Sequence, residues 1–336
     1  MCSTIIFGHS ETKLLAANYD YAQDHGLVAL NLRGTKKNNG AQHSEMRVEW
    51  AVKYGSITFN QFSLEFPVSG MNEMGLCIAL MWHEEGDFGV DARYKRINEL
   101  QWIQYQLDNY SSVQQLVDGL DDIRPERGPL PLHFSVLDAH GSHALIEFFN
   151  NDLNIQLNAE FPILTNNSYE ACLRAAVESS DSTPDSSRGR FARLYSLYKN
   201  SDPSVSSTFG FELLDSVNAS SLNEQGFPWN QGYGNTVTAW SAIFSPKDKT
   251  INFKSSQNSS IRTLQLEQLK FDPEGEYQLM DVHAGNGGVS SRYLEPYTRQ
   301  KNREIVSLAA PQIGLPEEVV NEVVEAVDEL YKHRGK

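Results

Sequence analysis

Met1-Cys2-Ser3-Thr4-Ile5-Ile6-Phe7 opens the chain, and the way this stretch is read decides the fold. Thr4–Phe7 is a short apolar, β-branched run; Gly8-His9-Ser10-Glu11 follows as a turn, and Lys13-Leu14-Leu15-Ala16-Ala17 as a second run. A strand, turn, strand opening is expected, which places residue 2 inside a sheet rather than on a loose tail. Removal of Met1 would make Cys2 a residue that carries both a thiol and a free α-amino group. An α-amine titrates at roughly 7.7–8.0, so it can take the thiol proton near neutral pH without help from histidine. Position alone leaves open an ordinary packed cysteine.

Working outward, the pattern stays strand-like through the first ninety residues. Val48, Trp50, Val52 and Tyr54 alternate with polar or small residues, and the turn Asn72-Glu73-Met74-Gly75 separates Phe66–Val68 from Leu76–Trp82. The period then changes. Ile97, Leu100, Ile103 and Leu107 recur at helical steps, and Ser112 with Gln115 has capping-box spacing ahead of a second helix carrying Val113, Leu116, Val117, Leu120 and Ile123. From Leu132 a meander returns: His133–Leu137, His143–Phe149 and Leu153–Leu157, joined by Asp138–Gly141 and Asn150–Asp152. Phe161–Leu164 ends at Thr165-Asn166-Asn167. A Ser/Asp-rich loop over 178–187 leads into a helix at Arg188–Tyr195, Thr236–Phe244 pairs with Thr250–Phe253, and Pro316 opens a last helix over about 316–333. Strands at both ends with a helical pair between them give an α+β class.

Composition narrows the function. With 336 residues, 40% hydrophobic and 21% charged, the chain has the material for a sizeable core. A formal charge of −15 disfavours nucleic acid and anionic membrane surfaces as partners. No run approaches the roughly 18 apolar residues of a membrane span. No secretory signal pattern appears, so the expected compartment is cytoplasmic, or periplasmic had a signal been removed. Cys2, Cys77 and Cys172 are widely spaced without CxxC, which argues against a disulfide framework or a zinc site. His133, His140 and His143 straddle a turn and match no zinc spacing, so no metal and no cofactor is expected.

Cys2, Asn18-Tyr19-Asp20, Gly70-Met71-Asn72-Glu73-Met74-Gly75-Leu76, Ile163-Leu164-Thr165-Asn166 and Arg190-Phe191-Ala192-Arg193 together resemble, in order and spacing, the choloylglycine hydrolase family. That family contains penicillin V acylases and conjugated bile salt hydrolases. Taken alone, Asp20 and Asn166 read as turn residues and Arg190 as a surface cation. The resemblance implies a single N-terminal nucleophile hydrolase domain over 2–336, a four-layer αββα sandwich that cleaves non-peptide amides through an acyl-thioester. Carried over by position, Cys2 would be nucleophile and, through its amine, base. Asp20 would hold the amine, Asn166 would donate to the oxyanion, and Arg190 would tune charge. Tyr19, Met81 and Trp82 would contact substrate, and a homo-oligomer, tetramer or dimer, is implied.

The chain departs from the family pattern in three places. Ala17 stands where the family usually has an arginine three residues before the aspartate. Trp82 occupies a position that is Asn in bile salt hydrolases and Tyr in many penicillin V acylases. It resembles a branch linked to penicillin V and N-acyl homoserine lactones, and an indole wall suits an aromatic or fatty acyl chain better than a sterol. The interval from Asn166 to Arg190 is also shorter than in bile salt hydrolases, where it contains a subunit-assembly excursion. Two other readings are a catalytically weak acyl-ligand binder, motivated by Ala17, and a class II glutamine amidotransferase. The second is disfavoured because Ser3 follows Cys2 and the only related triplet, Arg127-Gly128-Pro129, lies far downstream.

Overall fold

The first strand, Cys2–Phe7, is buried along its whole length because it lies between two neighbours. Leu14–Tyr21 pairs with it on one side, with Cys2 opposite Tyr19 and Thr4 opposite Ala17, and Ile163–Leu164 pairs on the other. The computed structural model describes residues 2–41, 44–128, 130–150, 152–179, 186–201, 206–219, 236–314 and 316–332. Met1, Pro129, Asn151, most of the Ser/Asp-rich stretch and residue 333 of the expected last helix lie outside them.

Two sheets account for the fold among these residues. The seven-stranded sheet runs Ile163–Leu164, Cys2–Phe7, Leu14–Tyr21, Val237–Ser245, Thr250–Ser255, Asn258–Gln265, Gly288–Val289. The nine-stranded sheet runs Asp152–Leu157, His143–Phe149, Leu132–Leu137, Cys77–Trp82, Pro67–Asn72, Ser56–Asn60, Leu27–Asn31, Gln278–Asp281, Glu295–Pro296. Their inner faces interdigitate. Phe59 of the larger sheet meets Trp240, Phe244 and Phe253 of the smaller at ring separations of 5.4–6.3 Å. The hydroxyls of Thr4 and Ser135 bridge the two sheets at 2.7 Å, so this polar pair is satisfied within the core.

Helices cover the outer faces. Ser187–Asn200 and Ser207–Asp215 pack on the smaller sheet, Gln101–Asn109 packs on the larger one, and the result is the αββα sandwich. Four helix starts carry a side-chain cap: Ser112, Ser186, Ser206 and Thr298 each accept the N–H three residues on. One boundary differs from the expectation. Ile97 belongs to a short strand, Lys95–Ile97, paired in parallel with Ile123–Pro125, and the helix begins only at Gln101. Ile123 likewise leaves the second helix, which ends at Gly119. A buried apolar residue at helical spacing satisfies a short strand equally well. The expected final helix is Glu317–Lys332, and a helix at Tyr169–Glu178, unmarked in the sequence reading, precedes the Arg190 helix. No helix among the described residues is long and apolar enough to cross a membrane.

Candidate active site

Cys2 receives a neighbour from each side of its strand. The hairpin to Leu14–Tyr21 supplies Tyr19 and Asp20; the pairing of Thr4 with Leu164 brings Asn166, two residues beyond, onto the other side. Cys2 N–H donates to Asn166 Oδ1 at 3.1 Å, across 164 residues of sequence, and Cys2 Sγ lies 3.9 Å from the Asp20 carbonyl. The Ser187–Asn200 helix contributes Arg190 from its first turn. Its Nη2 donates to Asn166 Oδ1 at 2.6 Å and to the Cys2 carbonyl at 3.4 Å, and its Nε donates to Ser3 Oγ at 3.1 Å. Arg190 is therefore a buried cation beside Cys2 and not a surface ion pair.

Asn166 is the corner of the arrangement. Its Nδ2 donates to the Trp82 carbonyl at 2.9 Å, which uses one of its two amide hydrogens and leaves the other for a ligand. Ser187, overlooked in the sequence, accepts N–H bonds from Asn166 and Asn167, both at 2.8 Å, and so fixes the backbone behind that amide. Thr238 was equally invisible: its hydroxyl donates to Asp20 Oδ1 at 2.6 Å. It sits opposite Asp20 only because Val237–Ser245 pairs with Leu14–Tyr21.

The electrostatics run in two directions. Burial pushes the Cys2 thiol above its ordinary range, with Arg190 pulling the other way. Burial likewise raises Asp20, opposed by Arg190 and by the Thr238 hydrogen bond. A buried thiol of this kind needs a base at hand to become a thiolate.

Beside Sγ lies a small apolar cleft of about 40 Å³, walled by Tyr19, Tyr21, Phe62, Leu80, Trp82 and Leu130 among others. Tyr19 is held by stacking on Trp240 at 4.6 Å and by its hydroxyl on Gln61 at 2.6 Å. Met81, expected at substrate, is not in the wall. Leu80 and Trp82 line the cleft, and the residue between them on a strand points to the opposite face, where Met81 is fully buried. Ala17 is also buried and outside the wall. A larger groove of about 840 Å³ lies between the Gly34–Gly40 segment and the last helix. Its lining shares no residue with the Cys2 cleft and has no Cys, Ser or His, so size here does not follow chemistry.

A four-layer sandwich with a cysteine heading an inner strand defines the class of N-terminal nucleophile hydrolase folds. Solved structures agree: the penicillin V acylase from Agrobacterium tumefaciens superposes with a TM-score of 0.73 at 19% identity, covering 89% of this chain and 98% of that one. A mutant conjugated bile acid hydrolase from Clostridium perfringens gives 0.68 at 16% identity, covering 86% and 98%. The penicillin V acylase of Pectobacterium atrosepticum is 26% identical over 147 residues, a match spanning 39% of this chain and 39% of that protein. Residues 2–174 match the model of the linear amide C–N hydrolases, choloylglycine hydrolase family. The chain belongs to that family.

Proposed function

We propose that this protein hydrolyses linear N-acyl amides through an acyl-thioester on Cys2, with penicillin V and N-acyl homoserine lactones as the substrate types that fit best. The observation that carries the reading is the convergence on Cys2 of Asn166 and Arg190, through bonds of 3.1 and 3.4 Å, beside an apolar cleft. The chemistry requires Cys2 N to be a free amine, hence a chain from which Met1 has been removed. That amine takes the Sγ proton, and the thiolate attacks the amide carbonyl carbon. The free Nδ2 hydrogen of Asn166 meets the oxyanion. Arg190 offsets developing negative charge through the Asn166 oxygen it holds. The C–N bond then breaks, and the leaving amine takes the proton from the Cys2 ammonium. Water, deprotonated by the same amine, cleaves the thioester, releasing the acid and restoring the thiol. Asp20 acts by fixing the first residue from below.

Trp82 and Leu130 wall the cleft with apolar surface, which favours a flat or linear acyl group over a bulky sterol. Purified protein is to be incubated with penicillin V and with acyl homoserine lactones, alongside Cys2→Ala, and its intact mass measured. Turnover abolished by Cys2→Ala, in a chain lacking Met1, is the expected result. Retained Met1 in an active enzyme would refute the amine mechanism. Absence of any turnover together with ligand-dependent thermal stabilisation would instead identify an acyl-ligand binder, the reading that Ala17 favours.

A further inference from the structure

Immediately after Trp82 the chain turns inward, and His83 comes to lie against His133 and Glu147, each from a different strand of the larger sheet or its end. His133 and Glu147 are cross-strand neighbours one step beyond the Phe134–Ile146 pair. All three side chains are buried. His83 Nε2 is 3.5 Å and His133 Nδ1 3.4 Å from the same oxygen, Glu147 Oε1. One ligand-capable atom from each residue lies within 4.8 Å of the other two.

Hydrogen bonding tells which atoms carry lone pairs. His133 Nε2 donates to the Thr165 carbonyl at 2.7 Å, which turns its Nδ1 towards Glu147 Oε1 at 3.4 Å. Neither ring nitrogen of His83 has a hydrogen-bond partner among the described residues. Glu147 accepts from the Tyr169 N–H at 2.9 Å and from Asn154 Nδ2 at 3.4 Å, as a carboxylate would. The buried, unpartnered ring of His83 and the Nδ1 of His133 therefore face one carboxylate oxygen, an arrangement that a cation would resolve.

We infer that His83, His133 and Glu147 form a buried site for a divalent transition metal of the zinc class, with Glu85 as fourth ligand. Ligand bonds of 2.0–2.2 Å in a tetrahedron put donor atoms about 3.3–3.5 Å apart, as two of these separations are. Glu85 Oε2 lies 3.7 Å from His83 Nε2 and is partly exposed, which supplies both the fourth oxygen and a route from solvent. Two carboxylates would balance the charge of a divalent ion. The second-sphere bond from His133 to a carbonyl is the usual device for fixing a ligand tautomer. The imidazole rings stack at 4.5 Å with 6° between planes, so shared ligation requires one to turn about χ2. Residue 86 permits His83 its place: a Cβ on Gly86 would come within 2.6 Å of His83 Nδ1. Such an ion would tie the Thr165–Asn166 corner to the segment after Trp82, a structural role at one remove from the thiol.

The full chain, stripped with a chelator and desalted, is to be titrated with zinc chloride. Stoichiometry is read by elemental analysis and stability by thermal unfolding. Uptake of one zinc per chain with a rise of several degrees in the midpoint is expected, and both are to be lost in Glu147→Gln and His83→Asn. Cobalt(II) substitution of the unaltered chain serves as a second measurement should those variants fail to fold: intense visible bands of a tetrahedral N/O site are expected. Folded wild type that takes up no zinc, variants that bind as wild type does, or weak octahedral cobalt bands would overturn the assignment.

Discussion

Two of the buried cations, Lys37 and Arg190, are set in different ways. Lys37 Nζ sits 2.7 Å from Glu65 and 3.3 Å from Asp108, with Trp50 and Gln104 donating to Asp108 and Tyr331 to Glu65. Each carboxylate is thus held by the lysine and by neutral donors at once. Arg190 directs donors at the oxygens of Ser3, Cys2 and Asn166 and also acts on the Asp20 carboxylate, beside an apolar cleft. The Lys37 cluster is electrostatically closed and can do little but hold the fold. The Arg190 cluster is arranged around atoms whose charge would change during acyl transfer.

The largest expected effect tests the closed cluster. Lys37→Met leaves two carboxylates buried without their cation and should cost about 3–5 kcal/mol of unfolding free energy, measured by urea denaturation. The kcat per folded molecule should not change. Asn166→Ala should do the reverse: removing one oxyanion donor lowers kcat by about 10²–10³-fold, while the same denaturation curve moves far less than for Lys37→Met. If both variants lose stability alike and neither loses kcat selectively, the contrast between the clusters fails.

Acid titration sharpens it further. Burial pushes Asp108 up to about 6 despite the opposing pull of Lys37. The unfolded chain releases this proton near 3.9, so between roughly pH 4 and 6 the folded state binds more protons than the unfolded one, and stability falls as pH rises through that window. Asp108→Asn should flatten the decline by about 2 kcal/mol, read from denaturation at pH 4.5 and 6.5. The smallest effect is at the cleft wall. Trp82→Ala should raise KM for aryl-acyl amides by about tenfold, the scale of one lost aromatic contact, and relax the preference for acyl shape.

The hairpins were legible because their chemistry is local: Gly8–Glu11 and Asn72–Gly75 are turn residues between runs that can only be strands. Cys2, Asp20, Asn166 and Arg190 were found as positions in a family pattern, and the structure brings all four to one place. Ser187 and Thr238 were not found, because each touches the site through a pairing 21 or 218 residues away in sequence. The sequence set His133 beside His140 and His143 across a turn; its grouping with His83 and Glu147 comes from cross-strand neighbours, which leave no spacing to read. Met81, carried over by family position, lies outside the cleft wall because it points to the strand face opposite Leu80 and Trp82. The helix at Tyr169–Glu178 escaped because its buried face is short and mixed, carrying Tyr169, Cys172 and Ala175.

The first strand, enclosed on both edges, has a consequence in time. Cys2 N is bonded to a residue 164 positions later, and Cys2 itself is only 4% exposed. That corner can close around Cys2 only after Asn166 has been made. At about 5–20 residues per second of synthesis, the intervening chain takes roughly 8–30 s to emerge. On the proposed chemistry, that interval is the time in which the N-terminus can be trimmed before Asn166 arrives to bond Cys2.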